Sequence, residues 1–284
     1  MAGLLSGLEQ FGLGNLEKLD LYESEAEKAK QEKAAVAEPV EQDFLFEKSY
    51  TCSICDKEFK AKTVKIGKAK LVGTDLDLRP KYENVDMLKY DIISCPHCGY
   101  TALSRYFKFI TAPQAKRIQE VISKSFKAQP DTKEIYTYEE AVERYKLTLA
   151  NAIVKQAKPS EKAYICLKAA WLIRGQAENL DAKAPDYAKK KQECLAAEND
   201  FLKNALEGFL AARQTEGYPM CGMDEATVDY LIAVTAMRFE QFDMASKLVA
   251  GILVSTTANP RMKDKARELK ELLMAKIKEQ KMRT

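Results

Sequence analysis

The chain has 284 residues, of which 46% are apolar and 31% charged, and a formal net charge of +3. That length suits two modest cores, and so balanced a charge excludes the concentrated basic field that by itself marks a nucleic-acid binder. Seven cysteines and a single histidine point to reduced thiols in the cytoplasm, metal-bound or buried, and away from a disulfide framework. No run has the apolar length of a membrane span and the start lacks a secretion signal, so no membrane partner is expected.

Residues 1–43 read as an acidic, weakly ordered segment and linker. Met1 to Tyr50 holds 5 basic and 11 acidic residues. The leucines and Phe11 near the start are compatible with a docking peptide, but Gly7, Gly12 and Gly14 each tax a helix by about 1 kcal/mol relative to alanine, which favours a loose terminus. Glu23 to Glu41 is almost wholly Glu, Lys, Ala and Gln, without a core face.

Residues 44–130 are expected to form a zinc-ribbon-like α+β unit with flanking helices. CSIC (Cys52, Cys55) and CPHCG (Cys95, Cys98) are separated by 39 residues. Two cysteines spaced by two residues grip one ion from a single turn, and two such turns close a tetrahedron of thiolates. Four soft sulfurs favour structural zinc, with iron in the same four-thiolate site as the alternative. Gly99 suits the second turn because it accepts a positive φ. The spacer exceeds the usual ribbon spacing of about 15 to 20 residues; TVKIGKAKLVGTDLDL and YDIIS carry strand signals, and an inserted β-hairpin accounts for the excess. Ala102 to Ile110 is expected to be helical. So is Pro113 to Lys127, with Pro113 in the first turn and Ile118, Val121, Ile122 and Phe126 on one face.

Residues 131–284 are expected to be an all-α, tetratricopeptide-like repeat domain with a C-terminal capping helix, making the protein mainly α. Six apolar stripes follow one another: Val142, Tyr145, Leu149 and Ile153; Tyr164, Leu167 and Trp171; Leu195, Leu202, Leu206 and Phe209; Val228, Leu231, Ile232 and Thr235; Phe242, Ala245, Leu248, Val249 and Ile252; and Met262, Ala266, Leu269, Leu273 and Ile277. Asp224 is the N-cap of the fourth helix, with Met223 placed to staple on Val228. Asp224 to Pro260 fits a divergent tetratricopeptide pair, with small Ala245 permitting close approach, and Tyr138 to Asn179 a looser one.

The remaining reactive residues give little chemistry. His97, between Cys95 and Cys98, reads as an exposed filler of the turn, and a chain with no second histidine has little material for a histidine-based catalytic site. Cys166 and Cys194 fall on apolar helix faces and read as core. Cys221 lies in a loop before a helix, where a lowered pKa is conceivable but no base is near in sequence. Lys57, Lys60, Lys62, Lys65, Lys68 and Lys70 form a basic row with Phe59 interleaved as a stacking platform; solvated lysines are the plainer reading. From Pro260 to Thr284 the chain holds 9 basic and 4 acidic residues, which reads as a solvated flank.

CSIC, then RPKY and YDIISCPHCGY, then AAWLIRG, GMDEATVDYLI and NPR, together resemble a bacterial family known only as a domain of unknown function, family 2225, over roughly Tyr50 to Lys276. The resemblance implies a metal-ribbon unit joined to tetratricopeptide-like helices in a bacterial cytosolic protein, and implies no activity. The expected function is that of a non-enzymatic adaptor binding a peptide or helix of a partner protein in a groove, with Arg174, Arg238 and Arg261 as candidate groove residues. A nucleic-acid-associated protein using the Lys57 to Lys70 row, and a thiol redox or hydrolytic enzyme, are the alternatives.

Overall fold

The computed structural model describes residues 39–128 and 133–283. Most of the acidic segment expected over 1–43 lies outside the described residues, as does the domain boundary expected between 130 and 131.

Each cysteine pair occupies the turn of a hairpin. Strand β1 (Leu45–Thr51) pairs antiparallel with β2 (Glu58–Val64), from Leu45 opposite Val64 to Thr51 opposite Glu58, and the first pair lies in the connection. Strands β5 (Ile92–Ser94) and β6 (Thr101–Leu103) flank the second pair. The 39-residue spacer holds the inserted hairpin, β3 (Leu71–Thr74) with β4 (Pro80–Tyr82), and a 3-10 turn at Met87–Tyr90. Asp86 caps that turn by accepting from the Leu88 N–H at 2.9 Å.

Two local expectations are corrected. Ala102 to Ile110 is not a helix: Thr101 to Leu103 pair with Ser94 to Ile92, and the Ser94 and Thr101 hydroxyls meet at 2.7 Å. The pairing imposed by the second cysteine turn overrides an apolar run too short to show its period. The segment from Pro113 also does not run on as one regular helix. Helix α1 (Ala112–Ile118) has proline in its first turn as expected, but it widens into a π-helical turn over Gln119–Ser123. Ile118 is buried, whereas Val121 is 56% exposed, because the wider turn rotates it off the shared face.

The helical region consists of α2 (Tyr138–Val154), α3 (Pro159–Glu178), α4 (Tyr187–Thr215), α5 (Glu225–Arg238), α6 (Phe242–Val254) and α7 (Pro260–Arg283), with no strand among them. Thr137 and Glu140 form a capping box at the start of α2, and Asp224 accepts from Thr227 N–H at 2.8 Å at the start of α5, as its sequence position requires. Ala245 is fully buried where α6 packs on its neighbours. The stripes hold except at Ile153 and Leu195, both more than half exposed. On α2 the inner positions near the C-terminus are instead Thr148, Asn151 and Ala152, and Asn151 there meets the polar backbone of the second cysteine turn.

Helices α2 and α3 pack directly on the 3-10 turn, and α2 on β5 and β6. Leu88, Ile92 and Leu103 therefore share one apolar core with Tyr145, Leu167 and Leu172 of the helices, and residues Glu41–Thr284 form one compact unit. The loop of the inserted hairpin is held by charge. Arg174 on α3 reaches Asp75 at 3.0 Å, Asp77 at 2.6 and 2.9 Å, and Glu198 on α4 at 2.8 Å. Trp171 Nε1 donates to Asp77 at 3.0 Å, Arg79 pairs with Asp75 at 2.7 Å and with Glu178, and the Tyr230 hydroxyl on α5 donates to the Leu76 carbonyl at 3.0 Å.

Candidate metal centre and helical groove

The two cysteine turns are copies of one geometry. In the first, Asp56 N–H donates to the Cys52 carbonyl at 2.9 Å and Cys52 N–H to Lys57 at 3.1 Å; in the second, Gly99 N–H donates to Cys95 at 3.1 Å and Cys95 N–H to Tyr100 at 2.8 Å. Asp56 and Gly99 occupy equivalent left-handed positions, φ 56° and 75°, and aspartate is one of the few residues other than glycine that visits that region. Gly99 has a second reason to lack a side chain: a Cβ there would lie 2.5 Å from the Phe126 ring.

All four cysteines are free thiols, and their Sγ atoms lie within 4.8 Å of one another. Cys52 and Cys98 are 3.6 Å apart, Cys55 and Cys95 3.7 Å. A tetrahedral ion with metal–sulfur bonds of about 2.3 Å places its sulfurs about 3.8 Å apart, so the donor set and its spacing fit a metal ion. The electrostatics agree. Hydrogen bonds from Cys52 and Cys98 hold the Cys95 thiol down to about 2, the Cys95 contact pushes Cys52 up to about 12, and Cys98 is raised by Cys52, Cys95 and burial. A divalent cation among the sulfurs would favour the ionised forms of Cys52 and Cys98, which the neighbouring thiols and burial oppose. Cys52, Cys95 and Cys98 are buried and Cys55 half-buried, while His97 is exposed on the turn.

The cluster is tied to the helices through backbone. Asn151 on α2 donates to the Gly99 carbonyl at 3.1 Å, and Gln119 of the π-helical turn donates to the Ile54 carbonyl at 2.9 Å. Around it lie Ile54, Phe59, Ile93, Tyr100, Phe107 and Ile118. Phe59 is therefore core, 5.9 Å from Tyr50 and 5.8 Å from Phe107, and not an exposed stacking platform.

The lysine row is largely occupied. Lys62 is buried with its ammonium 5.1 Å from the Tyr136 ring, Lys65 donates to the Asp43 carbonyl at 2.8 Å, and Lys60 and Lys70 pair with Glu47 and Glu83. Cys166 and Cys194 are buried, as their helix faces require, and burial raises both thiols, Cys166 to about 11. Cys221 shows no activation: burial pushes its thiol up, and the thiol donates to the Ser160 carbonyl at 3.3 Å.

Helices α2, α3 and α4 enclose a groove of about 290 Å³. Its floor is apolar, with Val142, Ile173, Leu180 and Phe201, and its rim carries Glu139, Lys146, Lys190 and Glu193. The three candidate arginines lie elsewhere. Arg174 is engaged on the inserted hairpin and Arg238 shares Glu198 with it at 2.9 Å, while Arg261 is exposed in the first turn of α7. Val142 and Cys194 of the groove read from sequence only as core, and neither its other residues nor the Asp75, Asp77 and Arg79 cluster was singled out; for the cluster the alternating TDLDLR carried the signal, but it reads equally well as a strand.

Fold and site together define a mainly α protein whose N-terminal hairpins hold a four-cysteine cluster able to bind a metal ion. Among the described residues no helix is long and apolar enough to cross a membrane. Residues 45–273 match the family described as an uncharacterized protein conserved in bacteria (DUF2225), and the chain belongs to that family. No curated protein and no solved structure matches the chain.

Proposed function

We propose that this protein is a non-enzymatic cytoplasmic adaptor, in which Cys52, Cys55, Cys95 and Cys98 hold structural zinc and the tetratricopeptide-like helices bind a peptide or helix of a partner protein. The observation that carries the reading is the groove of α2, α3 and α4, whose apolar floor and charged rim match what an amphipathic segment presents. Zinc is preferred to iron because a closed, mostly buried set of four thiolates needs no redox activity to serve as a staple. In this reading the cysteine turns keep α2 in place through Asn151 and thereby shape one wall of the groove. The lysine row lends less support to a nucleic-acid role, since its members are largely committed to the protein's own groups.

The test is affinity capture from a bacterial lysate with the full chain and with Phe201→Asp, both checked for one zinc per chain by elemental analysis. The reading expects a protein retained by the wild type and released by the variant. Capture that is indifferent to Phe201, or retention of nucleic acid that falls steeply with salt, would refute it.

A further inference from the structure

The last two helices carry a second groove. Helix α6 packs on α5 and α7, and α7 packs back on α5 and α6. Between α6 and α7 lies a groove of about 150 Å³, and none of its lining residues belongs to the groove of α2, α3 and α4. Val249 and Leu273 form a buried floor, and Ala250, Leu253, Met274 and Ile277 form the walls. The apolar surface reaches past the groove: Met274 is 61% exposed, while Val254 at the end of α6 and Met282 about two turns further along α7 are each 79% exposed.

In a helical array each pair buries its apolar side against the next, and a terminal pair stays soluble through a polar outer face. The side of α6 and α7 that a following helix would cover is apolar, so its shape suits one more helix. An extended peptide suits it less, because the walls are helices whose backbone groups are already paired and which offer no sheet edge. A helix brings its own hydrogen bonds and needs only an apolar row. The groove follows α6 from Ser246 to Leu253, about 11 Å at 1.5 Å per residue, which is the distance between positions i and i+7 of an incoming helix. A cavity of about 150 Å³ takes benzene, so this one seats a leucine or phenylalanine side chain.

Charge selects among helices. Of the described residues that line the groove, Lys270 alone is charged, and it has no ion-pair partner among the described residues. Exposed Lys278 follows Met274 by one turn, with Glu271 about one turn before it, and Pro260 to Thr284 as a whole carry 9 basic and 4 acidic residues. A second copy of the chain would bring the same basic helix against Lys270, and like charges across an interface oppose pairing. A bilayer takes apolar groups that protrude, whereas Val249 and Leu273 are recessed.

We propose that the groove between α6 and α7 docks an acidic amphipathic helix of a partner protein, its large apolar residues at i, i+4 and i+7 filling the groove and a flanking carboxylate meeting Lys270.

Fluorescence anisotropy on the full chain tests this with two labelled helical peptides that share one leucine row, one bearing glutamates and the other lysines at the remaining positions. The glutamate peptide is expected to bind, and the lysine peptide at least about tenfold more weakly. Met274→Asp, at an exposed position, should weaken the glutamate peptide by at least about tenfold. Lys270→Glu should weaken the glutamate peptide about threefold and strengthen the lysine peptide, an exchange that a folding defect does not produce. Amide shift changes in the wild type are expected at Ala250, Lys270, Met274 and Ile277. Absence of glutamate-peptide binding, equal binding of both peptides, or shifts confined to other residues would each overturn the assignment. So would a dimer in sedimentation that Met274→Asp disperses, or retention on phosphatidylglycerol vesicles that the same substitution abolishes.

Discussion

Replacing Arg174 by methionine should destabilise the protein by about 3 kcal/mol. The guanidinium sits among three carboxylates, and removing one member of a buried pair costs about 3–5 kcal/mol because the partner's charge stays behind. The lower end applies here. Asp75 keeps Arg79 at 2.7 Å and Lys81 at 2.8 Å, and Glu198 keeps Arg238 at 2.9 Å. Asp77, its side chain only 7% exposed, retains among the described residues only the Trp171 N–H. The penalty therefore concentrates on one carboxylate, and Asp77→Asn introduced on top of Arg174→Met should restore at least about 1 kcal/mol, a coupling that independent sites do not show. Urea unfolding at neutral pH, followed by tryptophan fluorescence, is well placed to measure this, since Trp171 is the sole tryptophan and touches Asp77. A loss below about 1 kcal/mol, or no recovery in the double variant, would show that water reaches Asp77 and that the hairpin loop is not held by this arginine.

Three further outcomes are expected. Gly99→Ala should lower stability by about 2 kcal/mol or more in thermal melts, because the left-handed backbone penalises any Cβ and this one meets Phe126. If the four cysteines hold zinc as proposed, a chelator should release one ion per chain, read by a colorimetric zinc assay, and should broaden the NMR signals of β5, β6 and the Asn151 end of α2 while leaving α6 and α7 sharp; uniform broadening would contradict the local anchoring described. Asp229, pushed up to about 6 by burial despite Arg213 at 2.8 Å, binds its proton more tightly folded than unfolded. Its contribution is fully present below about pH 4 and is lost as pH rises through about 6. Asp229→Asn should therefore remove up to about 2 kcal/mol of pH dependence between pH 4 and 7 in denaturant titrations.

The parts of this architecture that local chemistry dictates were readable from residues alone. The two cysteine turns, the left-handed Gly99, the Asp224 cap and most helix stripes each follow from a residue type at a spacing. What escaped was set by distant partners. Thr101 to Leu103 form a strand because Ile92 to Ser94 lie opposite, and the two segments are joined by a turn whose shape the cysteines determine. Val121 leaves its face because α1 widens, which no periodicity reports. Arg174 read as a groove residue because its three carboxylates come from an inserted loop and another helix, which spacing along α3 does not reveal. Asp56 occupies the same left-handed place as Gly99, and only the geometry reveals that the first turn repeats the second.

The inserted hairpin also orders events during synthesis. Asp77 leaves the ribosome 97 residues ahead of Arg174, and Leu76 waits 154 residues for the Tyr230 hydroxyl. The cysteine turns can close early, each from neighbouring residues, yet the loop suspended between them lacks Trp171 and Arg174 until α3 has emerged, and its last contact until α5 has. A nascent chain stopped before α3 leaves Asp77 without Arg174 and Trp171, so the inserted hairpin settles together with the helices and not ahead of them.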